Sequence, residues 1–163
     1  LRGTLEGLAA RFAAERGASA RSLEPLKECL GDLDQLDRQD PISVEAFSAY
    51  VTMNARFHAL LNELSASAPL IREIDRVSAL PFASPSAFVM AQSALPEAHQ
   101  ILLLAQDHHR IVVDAIENRE GARAEAVMRE HSRLAARNLR LAIRNRTHLD
   151  LLPALALLKS SAD

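Results

Sequence analysis

The sequence predicts an all-helical domain, and three observations carry that expectation. Apolar residues recur at spacings of three and four along six stretches, the pattern that lines one face of an α-helix. No stretch alternates polar and apolar residues at period two, as a half-buried strand would. Helix breakers stand between the periodic stretches: Gly17, Asp40-Pro41, two prolines in 81–95, and the turn 118–121.

The first helix is expected over 1–16, with Leu1, Leu5, Leu8, Ala9 and Phe12 as its apolar stripe and Gly17 as its stop. A second runs from Ser19 to Asp37 on Leu23, Leu26, Leu30, Leu33 and Leu36, with Pro25 in its early turns. Ser43 caps a third, running to Ser65, whose stripe is Phe47, Tyr50, Val51, Asn54, Phe57, His58, Leu61 and Leu64. Pro69 opens a short fourth through Leu70, Ile74 and Val77. Residues 81–95 read as a long connection packed on the domain, with one helical turn near Phe88. The fifth helix spans Pro96 to Asn118 and the sixth Glu120 to Arg146, followed by an apolar piece, 149–158, broken at Pro153.

A chain of 163 residues, 48% of them hydrophobic, makes one domain able to bury a full core. Its 19 basic and 21 acidic residues leave a net charge of −2, which disfavours nucleic acid as a direct partner. Arg133, Arg137, Arg140, Arg144 and Arg146 follow helical spacing and read as a solvated face. The single Cys29 forms no intrachain disulfide, which fits a reducing, cytoplasmic setting. No apolar run is long enough to span a membrane, and no signal peptide opens the chain. The start lacks Met and begins mid-pattern, so the chain is expected to be a fragment of a longer protein.

The chemistry concentrates on three apolar faces. Asn54 and His58, four residues apart, share one face with Val51 and Leu61. His109 lies in the row Leu102, Ala105, Val112, Ile116; His131 lies in the row Ala124, Val127, Leu134, Asn138, Leu141. Between His109 and His131 lie one helix end, the turn 118–121 and one helix start. Each histidine stands about 16 Å of helical rise from that turn, so antiparallel neighbours bring the two rings level. A buried polar ring costs about 1–3 kcal/mol unless something ligates or hydrogen-bonds it. Three imidazoles and an amide oxygen suit a divalent transition metal: Zn, Ni, Mn or Fe(II). His108, on the row Leu104, Ile111, Ala115, competes with His109; His99 and His148 match no row.

These residues resemble a family. Leu1-Arg2-Gly3-Thr4-Leu5-Glu6 through Ala13-Ala14-Glu15-Arg16 is similar to the first helix of the effector-binding C-terminal domain (FCD) of FadR-type regulators in the GntR family of bacterial transcription factors. Asn54-Ala-Arg-Phe57-His58 is similar to that domain's Asp-x-x-Phe-His motif, and His109 to Ile116 with Ala126 to His131 is similar to its paired-histidine segment. The resemblance implies an antiparallel bundle of six or seven helices around a central cavity holding a divalent metal and a small carboxylate effector. By position it implies Asn54, His58, His109 and His131 as metal ligands and prefers His109 over His108. Arg2 and Asn138 are the expected effector contacts. Asn54 departs from the family's Asp. The resemblance further implies a homodimer, and DNA binding only through an N-terminal winged helix-turn-helix domain that this chain lacks. Two other readings compete: a helical metalloenzyme, which the residues disfavour because no nucleophile–base pair stands out, and a metal-free helical dimerisation module.

Overall fold

The computed structural model describes residues 1–37, 43–80, 83–86 and 98–144. Six helices and no strand lie among them: α1 (Arg2–Arg16), α2 (Ala20–Asp37), α3 (Val44–Leu64), α4 (Ala68–Ser78), α5 (Ala98–Glu117) and α6 (Gly121–Arg144). The expected bounds agree within about two residues, save that the start expected at Pro96 and the end expected at Arg146 lie outside the described residues. The helical turn expected near Phe88 and the piece 149–158 lie outside the described residues.

Local chemistry sets the helix ends. Gly17 takes φ 78° and ends α1, its N–H bonding Ala14 O while Ala18 N–H reaches Ala13 O; a Cβ would resist that left-handed turn. Ser43 Oγ accepts from Ala46 N–H at 3.1 Å and caps α3. Ser19 does the same for Ser22 N–H and starts α2 ahead of Pro25, which lies inside the helix rather than at its start. Between α5 and α6 the chain turns at Arg119 (φ 61°), and the Glu120 carbonyl accepts the first bond of α6 from Ala124.

Helix α1 is the hub: it packs along α6 and also meets α3, α4 and α5. Its innermost face differs from the predicted stripe. Leu1 is exposed, and Leu5, Leu8 and Phe12 are half-buried beneath Leu70 and Ile74 of α4. The fully buried face is Glu6, Gly7, Ala9, Ala10, Ala13 and Ala14, of which the predicted stripe held Ala9 alone. Small residues let two helix backbones approach where leucines would hold them apart. The remaining core comes from Leu26 and Leu33 of α2, Phe57 and Leu61 of α3, Val112 and Ile116 of α5 and Met128 of α6, all at 0–1% exposure. No described helix is long and apolar enough to cross a membrane.

The α1–α6 contact is tight enough to test. A Cβ on Gly7 would stand 2.7 Å from Arg129 Cγ and 3.1 Å from the Glu125 carbonyl oxygen. Gly7→Val is expected to destabilise the fold by about 1–3 kcal/mol, because overpacking outweighs the small gain in helix propensity. Urea unfolding reads this as a lower midpoint at unchanged slope; a midpoint equal to the parent's would show that the two helices part freely.

Candidate metal centre

Three helices deliver the three predicted histidines to one place. His58 (1% exposed) comes from α3, His109 (0%) from α5 and His131 (7%) from α6. Their ring centroids stand 4.5 Å (109–131), 5.2 Å (58–131) and 5.7 Å (58–109) apart. One ring nitrogen from each lies within 4.8 Å of the other two. The α5–α6 hairpin produces the level match expected from the spacing.

One buried nitrogen of each ring is left without a hydrogen-bond partner among the described residues: His58 Nε2, His109 Nε2 and His131 Nδ1. Three orphaned nitrogens in one buried cluster would cost several kcal/mol in all if nothing met them. Nitrogens sharing one ion at about 2.1 Å stand up to about 4.2 Å apart, so the observed spread is within a small side-chain rotation of that requirement. The donor set therefore fits a transition metal.

The other ring nitrogens of His58 and His109 are anchored. His58 Nδ1 lies 2.9 Å from Glu6 Oε1 of α1, and His109 Nδ1 lies 3.0 Å from Gln106 Oε1. Gln106 Nε2 donates to Leu30 O and, at 2.6 Å, to Asp34 Oδ1 of α2. That fixes the amide with its oxygen toward His109, so His109 Nδ1 carries the proton and Nε2 the lone pair. The same logic applies at His58, where an ionised carboxylate can only accept.

The electrostatics agree with ligand chemistry. Burial pushes His109 and His131 well below the ordinary imidazole range, reinforced by the neighbouring histidines, while Glu6 opposes the shift at His131. Both rings are thus held neutral, the form that binds metal. Burial alone would raise the Glu6 carboxyl, but His58, Arg2 and His131 together bring it down to about 2.

The remaining predicted residues stand nearby or beyond view. Asn54 is buried (3%) one turn before His58; its Nδ2 donates to Ser86 Oγ at 3.0 Å, and Ser86 Oγ donates to Val51 O at 2.9 Å. Arg2 reaches the cluster through Glu6, to which its Nη1 donates. Asn138 belongs to α6, but its side chain lies outside the described residues. His108 is half-buried, its ring 6.1 Å from that of His131, beside the triad rather than within it. His99 is half-buried, and His148 lies outside the described residues.

Sequence reasoning missed Glu6, Gln106 and Asp34. Gln106 was within reach, since it sits three residues before His109 on the same face. Glu6 carried a weaker signal, a lone acid among the small residues Gly3, Gly7 and Ala10.

A family model for the FCD domain matches residues 1–134. No curated protein matches the chain.

Proposed function

This chain belongs to the FCD domain family, the regulatory domain of GntR-type regulators, and from that premise we propose that it is a metal-dependent sensor of a small carboxylate. The observation that supports this most is the set of three orphaned, buried nitrogens converging from α3, α5 and α6. His58, His109 and His131 hold a divalent ion (Zn, Ni, Mn or Fe) by the nitrogens left without partners, and Asn54 offers its amide oxygen. Bound there, the ion supplies a positive centre able to take an acid oxygen of the effector. Arg2 and Asn138 complete the effector's contacts, Arg2 while also paired to Glu6.

The reading is of a sensor rather than an enzyme. The effector acts by its unequal affinity for two arrangements of the helices around the ion. Helix α1 touches α3, α4, α5 and α6, so any rearrangement among them reaches it. In a FadR-type regulator this helix follows the DNA-binding head, and in a cytoplasmic homodimer its displacement repositions two such heads.

Calorimetry tests the proposal. Small mono- and dicarboxylates are titrated into chelator-treated and Zn²⁺-loaded protein. At least one acid is expected to bind the loaded form tenfold or more tighter than the stripped form. Absence of binding by any of them at millimolar concentration would overturn the sensor reading.

A further inference from the structure

The site's buried carboxylate comes from an unexpected helix. At position 54 the chain carries a neutral amide, and the acid touching the cluster is Glu6, 0% exposed, on α1. Oε1 accepts a hydrogen bond from His58 Nδ1–H at 2.9 Å; Oε2 accepts from Arg2 Nη1 and, at 3.4 Å, from Ser132 Oγ of α6. A buried carboxylate with only an arginine to serve would be a poor use of the core, since desolvating an ion pair seldom yields net stability. Its placement against the back of a histidine whose front nitrogen is orphaned has a specific chemical meaning. A carboxylate behind a ligating imidazole fixes the tautomer, orients the ring and raises its basicity.

We propose that Glu6 is the positioning residue of this centre: it presents His58 Nε2 to the ion, supplies the negative charge that Asn54 lacks, and makes α1 the helix that registers occupancy of the site. The idea rests on the metal-sensor reading and deepens it. Glu6 is the one acidic side chain of α1 on its buried face, and its bonds reach a histidine of α3 and a serine of α6. When the histidines close on an ion, His58 draws on Glu6, and α1 is held more firmly.

The test uses Zn²⁺ alone on the full 163-residue chain at constant pH, comparing the parent, Glu6→Gln, and the double variant Arg2→Met/Glu6→Gln. The double variant removes both partners of the buried pair, so it keeps the experiment informative if Glu6→Gln folds poorly. Both variants are expected to bind Zn²⁺ 10–100-fold more weakly than the parent. Hydrogen exchange gives the second readout: saturating Zn²⁺ slows exchange of the α1 amides in the parent but not in the variants. A Glu6 that merely holds the fold together would lower melting temperature while leaving Zn²⁺ affinity and the α1 response of the folded protein unchanged; that result overturns the inference and leaves the sensor reading intact. Failure of the parent itself to bind any divalent transition ion would remove both.

Discussion

Replacing His131 with alanine is expected to lower affinity for Zn²⁺ more than 100-fold, beyond the 10–100-fold that residues behind the ligands command. The cause is the donor count. Three orphaned imidazole nitrogens converge here, and losing one leaves two histidines and an amide, too few to compete with water for the ion. Thermal melting reads the difference. An ion at 100 times its dissociation constant adds about 2.7 kcal/mol to the parent, roughly 5–10 °C in melting temperature for a chain of this size. His131→Ala should show almost no metal-dependent rise at the same concentration. A full rise in that variant would mean the ion sits elsewhere.

The second large effect is on the wall of the site. Phe57 is fully buried, and its ring centroid lies 4.2 Å from that of His109 and 6.0 Å from that of His58. Phe57→Ala is expected to destabilise the protein by about 3–5 kcal/mol, the sum of lost apolar burial and the cavity left behind. Denaturant unfolding measures it as a fall in midpoint. Zn²⁺ binding should weaken as well, because His109 loses the surface that holds its ring upright. A loss below 1 kcal/mol would show that the neighbouring core collapses into the space.

Much of this was legible from residue spacing. Stripes at period 3.6 located α2, α3 and α5 because those helices bury large aliphatic and aromatic side chains on one face. The meeting of His109 and His131 followed from equal distances to a single hairpin turn. The first helix was harder. Its position was clear, but its orientation was not: Leu5, Leu8 and Phe12 outweigh Ala9, Ala10 and Ala13 on any hydropathy scale, yet α1 presses its alanines and glycines into the bundle and leaves its larger side chains half-covered. Close backbone packing rewards small residues, and a hydrophobicity pattern does not register that reward. Glu6 was hidden for the same reason. An acid on a face of alanines reads as solvent-exposed until its partners, His58 across the interface and Arg2 one turn earlier on α1, are known.

The Asn54–Ser86 pair carries a consequence for what position 54 can be. The Ser86 hydroxyl has one proton, directed to the Val51 carbonyl, so its oxygen is left to receive the amide hydrogen of Asn54. An aspartate at 54 would accept that proton in place of the Val51 carbonyl, leaving one hydrogen bond between Ser86 and α3 where there are now two. Asn54→Asp is thus expected to loosen residue 86 from α3 without freeing it.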